Sequence, residues 1–293
     1  MTLRKIMCPV DFSSTSQHAM RVAIRIANES SAELVLAHVW HLPLLAVSGE
    51  PPVSADVIQR MTDDEQRSLD KAVRDAAELG AKRVTPVFLT GVPWSRITET
   101  LDEDSMFDLV VMGTHGRSRF ARILLGSVAE RVVRHASCPV LVVRPDSKVA
   151  PFEHVLCPID FSDSSRHALD LAAELARPEG LGITLLHVVE APVTYSGELS
   201  PELLEGLDVR STDVLDEWRS RLRAKVALPV TTRSTIGNPA AQILGALDDD
   251  RTFDLVVMGS HGRTGIRRVL LGSIAEKVAR HARCPVLVTH SRS

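Results

Sequence analysis

Short, nearly continuous apolar runs recur along the chain, and stretches with helical periodicity separate them. Residues 33–39, 108–112 and 139–143 are runs of this kind, which is typical of strands buried on both faces of a parallel sheet. Between the runs, apolar residues recur at every third or fourth position, as on the buried side of an amphipathic helix. The pattern therefore predicts an α/β fold with helices on both faces of a parallel sheet.

The first half of the chain contains five predicted strands, at residues 5–10, 33–39, 84–89, 108–112 and 139–143. The predicted helices follow the serines at 13–16 and cover residues 19–27, 63–79, 94–101 and 127–135. Right-handed crossovers place helices on both faces only if the winding reverses once, and ligands bind beyond the carboxyl ends of the strands at that reversal. Those ends carry Asp11 and Gly113.

The whole pattern occurs twice. The hexapeptide CPVDFS, which begins at Cys8, returns as CPIDFS at Cys157, and FDLVVMG, which begins at Phe107, returns unchanged at Phe253. A repeat of this length corresponds to a whole domain. We therefore predict two tandem doubly wound domains, at residues 1–144 and 152–293, joined by a short, proline-flanked linker at residues 145–151.

Composition and charge narrow the possible partners. The 293 residues are 44% hydrophobic and 24% charged, with a formal net charge of −3, so neither nucleic acid nor an anionic membrane is an expected partner. The first residues lack the apolar region and cleavage site of a signal peptide, and no apolar run is long enough to span a bilayer. We expect a cytoplasmic protein.

A glycine-rich loop follows the fourth predicted strand in both copies. The first copy reads Gly113-Thr114-His115-Gly116, then nine residues, then Gly126-Ser127. Glycines let the backbone turn tightly and approach a ligand, and the free N–H groups at the start of the next helix favour an anion. The Ser127 hydroxyl adds a donor. The loop therefore indicates a phosphate site, and the alternative is that the glycines serve only tight turns.

These motifs together resemble the universal stress protein family. The resemblance rests on the G-x2-G-x9-G-S spacing after a VVMG strand and on the opening CPxDFS. It covers essentially the whole chain as a tandem arrangement, and the motif is complete in each copy. It implies a five-stranded parallel sheet in the order 3-2-1-4-5, with ATP, accompanied by Mg²⁺, bound across the first and fourth strands. It also implies that Asp11 and Asp160 lie near the adenine and ribose, and that the backbone at Val39 and Val188 contacts the adenine.

The predicted nucleotide-binding residues form two matching sets, and no catalytic or metal-binding residue is assigned. The first set is Pro9, Val10, Asp11, Val39, Gly113, Thr114, His115, Gly116, Arg117, Ser118, Arg119, Gly126, Ser127 and Val128. The second is Pro158, Ile159, Asp160, Val188, Gly259, Ser260, His261, Gly262, Arg263, Thr264, Gly272, Ser273 and Ile274. For Asp11 the alternative is a helix N-cap.

Two further features bear on the resemblance. Phe12 and Phe161 stand where many relatives have glycine, which affects the loop beside the adenine. The family pairs domains through the fifth strand, and the apolar runs 140–143 and 286–288 carry no charge that would protect a sheet edge. We hypothesise a homodimer or a pseudo-dimer within one chain.

Three functions are compatible with the sequence. The first is an ATP-binding regulatory module in a stress response, with an unidentified protein partner. The second is an enzyme with slow ATP hydrolysis; the P-loop sequence and its lysine are absent, and no dedicated general base is apparent. The third is a structural dimerisation protein that has lost nucleotide binding, which the two complete loops argue against.

Overall fold

The structure, a computed structural model, describes residues 3–41, 54–115, 125–145, 147–190, 201–260 and 271–290; within residues 201–211 it describes the backbone alone. The chain divides into two compact units, here called domain 1 (Thr2–Pro145) and domain 2 (Asp146–Ser293). In the described residues, no helix combines the length and the apolar character that crossing a membrane requires.

Domain 1 alternates strands and helices. Its elements are β1 (Lys5–Pro9), α1 (Ser14–Ser30), β2 (Glu33–Trp40), α2 (Ala55–Glu78), β3 (Val84–Thr90), α3 (Pro93–Glu103), β4 (Leu109–Gly113), α4 (Ser127–His135) and β5 (Val140–Val143). The strands are parallel, in the order β3-β2-β1-β4-β5. The predicted order is therefore confirmed, and the winding reverses between β1 and β4.

Domain 2 repeats this arrangement. Its elements are β6 (His154–Ile159), α5 (Asp163–Leu175), β7 (Gly182–Val189), α6 (Pro201–Arg223), β8 (Val230–Ile236), α7 (Pro239–Asp249), β9 (Leu255–Gly259), α8 (Ser273–His281) and β10 (Val286–Thr289). The parallel order is β8-β7-β6-β9-β10. The chain therefore consists of two tandem domains with the same doubly wound architecture, as the repeat predicted.

The first strand of each sheet is the centre of its core. Ile6, Met7 and Cys8 in β1 are fully buried, because helices cover both faces of the strand, and their side chains are apolar throughout. The serines after the strand start the next helix: the Ser13 side chain caps α1 by accepting from the Ser16 amide, and Ser162 does the same for α5. The strand therefore leads directly into a helix whose first turn lies at the sheet's carboxyl edge.

Helix α2 is longer than the periodicity predicts. It begins at Ala55, whereas the sequence places its start at residue 63. Among its 24 residues only Leu69 and Ala76 are buried. Val57, Ile58 and Met61 in its first two turns have helical spacing but are only half-buried. Ser54 is the N-cap residue, and its side chain makes no capping hydrogen bond.

All four cysteines are free thiols and are buried. Cys8 and Cys157 lie in β1 and β6, where burial raises the pKa of Cys8 to about 12 and also raises that of Cys157. A thiol with a raised pKa is a poor nucleophile and a poor metal ligand. The cysteines therefore act as small core residues.

Candidate functional site

Domain 1 contains a cavity of about 430 Å³ where β1, β2 and β4 end. Helices α3 and α4 contribute the remaining wall through Pro93, Ile97 and the first residues of α4. This is the position at which the topology predicts a ligand site. All the predicted site residues of domain 1 that the structure describes line it, namely Pro9, Val10, Asp11, Val39, Gly113, Thr114, His115, Gly126, Ser127 and Val128.

The two sides of the cavity differ in chemistry. On the β2 side the lining is apolar and includes Ala37, Val39 and Ile97. On the β4 side the lining includes the loop backbone from Gly113 to His115 and the start of α4 at Ser127. An apolar slot beside a helix N-terminus suits a ligand with a flat apolar part and an anionic part.

Sequence reasoning did not identify seven of the lining residues, which are Ser16, Ala37, Pro93, Ile97, Met112, Leu125 and Ala129. Ala37 was recoverable from strand alternation, because it lies two residues before Val39 and therefore on the same face of β2. Pro93 and Ile97 lie one turn apart on α3.

Backbone hydrogen bonds hold both ends of the glycine-rich loop. In domain 1 the Gly126 amide donates to the Thr114 carbonyl over 2.7 Å, and in domain 2 the Gly272 amide donates to the Ser260 carbonyl over 2.9 Å. The two described ends of each loop therefore lie side by side, and α4 or α8 begins there. The first N–H groups of that helix lie at the same edge as the end of β4 or β9.

Gly113 is required for a reason other than the tight turn that the sequence suggests. It lies inside β4 without a positive φ, and a Cβ there would come within 2.7 Å of the Thr15 methyl carbon. In domain 2 a Cβ at Gly259 would come within 2.6 Å of the Ser164 hydroxyl. Both glycines allow the first helix of the domain to approach the fourth strand closely.

Asp11 organises the loop between β1 and α1. Its Oδ1 accepts from the Ser13 amide at 3.1 Å and from the Ser13 hydroxyl at 2.6 Å. In domain 2, Asp160 accepts from Ser162 in the same way and also from the Ser165 hydroxyl at 2.6 Å. Ser13, and not Asp11, is the N-cap residue of α1, so the N-cap alternative for Asp11 is wrong.

Phe12 and Phe161 adopt a left-handed backbone, each with φ of 66°. Their rings pack on the histidines of the second strand: the centroid of Phe12 lies 4.5 Å from that of His38, and the centroid of Phe161 lies 4.4 Å from that of His187. A bulky residue in this region is strained, and the ring packing holds it there. Both phenylalanines therefore have a backbone conformation that glycine adopts far more readily.

The same histidines bind the end of the first strand. His38 Nδ1 donates to the Val10 carbonyl over 2.8 Å, and its Nε2 lies 3.2 Å from Glu65 Oε2. His187 Nδ1 donates to the Ile159 carbonyl over 2.9 Å. The interpretation of His38 as a buried histidine is confirmed, since its exposed fraction is 4%. Its Nδ1 is hydrogen-bonded, whereas its Nε2 has no hydrogen-bond partner among the described residues.

We expect Phe12→Gly to be more stable than Phe12→Ala by about 1 kcal/mol. Both variants lose the contact with His38, but only glycine is free of the cost of the left-handed backbone. Urea unfolding of domain 1, followed by Trp40 and Trp94 fluorescence in a Trp218→Phe background, measures the difference. Equal stabilities, or a more stable alanine variant, would contradict this account of Phe12.

His115 presents a neutral donor beside the loop. Burial, together with the positive charge of Arg144, lowers the pKa of His115, so the imidazole is uncharged near pH 7. Its Nδ1 lies 3.0 Å from the Thr114 hydroxyl; with that hydroxyl as donor, the ring proton is on Nε2. Nε2 is buried and has no hydrogen-bond partner in the described part of the chain.

Several predicted site residues lie outside the described residues. They are Gly116, Arg117, Ser118, Arg119, His261, Gly262, Arg263 and Thr264. The other members of the domain 2 set occupy positions equivalent to those of domain 1, namely Pro158, Ile159, Asp160, Val188, Gly259, Ser260, Gly272, Ser273 and Ile274. Across the described ranges, no group of three or more histidine, cysteine, aspartate or glutamate side chains is arranged to hold a metal ion.

Comparison with known proteins gives a consistent result. The sequence profile of the universal stress protein family matches residues 2–144 and 151–290. A universal stress protein of Mycolicibacterium smegmatis is 29% identical over 295 residues, which covers 98% of this chain and 97% of the relative. A universal stress protein of Mycobacterium bovis is 33% identical over 243 residues, or 77% of each chain.

A solved structure has the same fold over the full length. The crystal structure of a universal stress protein from Archaeoglobus fulgidus matches 100% of both chains with a TM-score of 0.74 at 22% identity. At this identity the likeness concerns the fold alone. It agrees with two tandem α/β domains in one chain.

Proposed function

Because this chain belongs to the universal stress protein family, we propose that it binds ATP and acts as a nucleotide-dependent regulatory module in a stress response. One observation carries the proposal. The cavity of domain 1 combines an apolar β2 side with a β4 side that offers a helix N-terminus and a closely held loop. A purine base and a chain of phosphates have the same division of character.

The residues present fit such a ligand. A base between Val39 and Ile97 would be in apolar surroundings, and phosphates beside Ser127 would meet free amides and a hydroxyl. Mg²⁺ would enter with the triphosphate, which supplies its oxygen ligands. Arg117, Arg119 and Arg263 stay predicted phosphate partners from the sequence.

We do not assign a catalytic residue. Asp11 is the carboxylate of the cavity lining, and its Oδ1 is already occupied by Ser13. Slow hydrolysis needs only a positioned water beside bound ATP and is one outcome of the test below. Association through the fifth strands and a cytoplasmic location stay predictions from the sequence.

Nucleotide carried through purification is the first test. The full chain is denatured, and its supernatant is analysed for adenine nucleotides by chromatography. ATP supports the regulatory function, and ADP together with measured turnover supports the enzyme. If no nucleotide is recovered and calorimetric titration with ATP and Mg²⁺ shows no binding, the proposal is wrong and the structural alternative stands.

We expect Ser127→Ala with Ser273→Ala to weaken ATP binding by about tenfold, because one hydrogen bond to a charged phosphate is lost at each site. Adenosine binding should be unchanged, since adenosine has no phosphate. Calorimetric titration of both ligands measures the two effects. The control is Ser95→Ala, which removes a hydroxyl from the start of α3 that binds Glu99 and does not line the cavity. Equal losses for ATP and adenosine would contradict the phosphate position.

A further inference from the structure

The two domains differ in the apolar side of the site. The equivalent positions in domain 2 keep the residue type of most of the cavity lining, including Val39, Pro93 and Ile97, which become Val188, Pro239 and Ile243. The largest exchange is Ala37 to Leu186, which adds three carbon atoms. Val10 to Ile159 adds one more on the same side.

Leu186 lies on the cavity face of its strand. Ala37 pairs with Pro9 in the register of β2 and β1, and Leu186 pairs with Pro158 in the register of β7 and β6. Side chains alternate along a strand, so Leu186 projects to the same face as Val188, as Ala37 does with Val39. Leu186 is 2% exposed, so its side chain fills space inside domain 2.

The opposite wall does not become smaller in compensation. Pro239 and Ile243 begin α7 as Pro93 and Ile97 begin α3, and Ile243 is as buried as Ile97. A larger side chain against an unchanged wall narrows the slot between them. Domain 1 therefore has space beside the base that domain 2 lacks.

We propose that Ala37 and Leu186 set different base-size selectivities in the two sites. Domain 1 accepts purine nucleotides with an enlarged base, and domain 2 accepts only the unmodified base. The inference rests on the proposed ATP binding. Pockets discriminate against excess apolar volume by steric exclusion, and a single methylene is worth about tenfold or more in binding. Leu186 exceeds Ala37 by three carbons.

The experiment is calorimetric titration of the full chain with ATP and with three analogues that enlarge different edges of the base: N6-benzyl-ATP, 2-methylthio-ATP and 8-bromo-ATP. We expect ATP to bind at two equivalents and at least one analogue to bind at one equivalent. In Ala37→Leu that analogue should lose its site, with an affinity decrease of about tenfold or more. In Leu186→Ala it should gain a second equivalent.

Controls separate selectivity from folding. Ala77→Leu makes the same change on the exposed surface of α2 and should leave both stoichiometries unchanged. Leu186→Val is a milder truncation for use if Leu186→Ala unfolds, and it should strengthen analogue binding to domain 2. Analogues that all bind at two equivalents, or at none, overturn this inference while ATP binding stands. Absence of ATP binding overturns the proposed function itself.

Discussion

Gly113→Ala is expected to destabilise domain 1 by about 1–3 kcal/mol, because the new Cβ has no space. It would lie 2.7 Å from the Thr15 methyl carbon and 3.2 Å from the Thr15 carbonyl carbon and oxygen. Rotation of the Thr15 side chain relieves the first contact but not those with the backbone. Helix α1 must then move away from β4, and with it the Asp11 loop that begins the cavity.

A double-mutant cycle tests this origin of the loss. Thr15→Ser removes the closest atom, so Gly113→Ala should cost less in the Thr15→Ser background, with a coupling of about 1 kcal/mol. Urea unfolding followed by Trp40 and Trp94 fluorescence, with Trp218 replaced by phenylalanine, measures each variant. Additive effects would show that the Thr15 methyl group is not the obstacle and that the backbone contacts account for the loss.

Gly245→Ala is the matched control for the loss of a glycine. Gly245 lies within α7, and a Cβ there would have no atom within 4 Å among the described residues. Alanine should stabilise the helix by about 0.5–1 kcal/mol. Because α7 is in domain 2, urea unfolding followed by Trp218 fluorescence, with Trp40 and Trp94 replaced by phenylalanine, measures this effect. If Gly245→Ala lowers the free energy of unfolding, replacement of a glycine destabilises this protein even where the new Cβ makes no steric contact.

Asp11→Ala is expected to weaken ATP binding to domain 1 by about thirtyfold, which corresponds to two hydrogen bonds of about 1 kcal/mol each. The carboxylate lines the cavity and holds the loop through the Ser13 amide and hydroxyl. Its removal takes away a lining group and releases the segment between β1 and α1. The affinity of domain 2, which has its own Asp160, should not change.

Asp11→Asn is the control for the loop. Its amide oxygen still accepts from Ser13, so loop geometry is kept while the charge is lost. We expect binding by the asparagine variant to be between that of the wild type and that of Asp11→Ala in calorimetric titrations. The role proposed for Asp11 is wrong if Asp11→Ala binds ATP as the wild type does at both sites.

Much of this architecture is readable from the sequence. The continuous apolar runs correspond to the five strands of each sheet, and α4 begins at Ser127 and ends at His135 as predicted. The start of α2 was predicted eight residues late: Val57, Ile58 and Met61 extend its apolar spacing but are only half-buried, and Ser54 makes no capping hydrogen bond. Full burial leaves a clear pattern in the sequence, whereas a partly exposed helix end leaves a weak one.

The position of the site was predictable from the sequence, but the structural roles of several of its residues were not. The repeated glycines and Asp11 located the cavity edge, yet the contact of Gly113 with Thr15 requires knowing which helix crosses β4. The left-handed backbone at Phe12 has no signal in a phenylalanine, because this conformation normally marks glycine. Ala37, by contrast, was recoverable from its spacing to Val39 in the same strand, and the register pairs it with Pro9 at the cavity.

The burial of the four thiols limits the kinds of signal to which this protein can respond. Since all four cysteines are buried, peroxide and other mild oxidants have no accessible thiol target on them. Oxidative conditions in the cell would therefore leave these four thiols unaltered. Under the proposed function, the protein responds instead to the cellular concentrations of ATP and related adenine nucleotides.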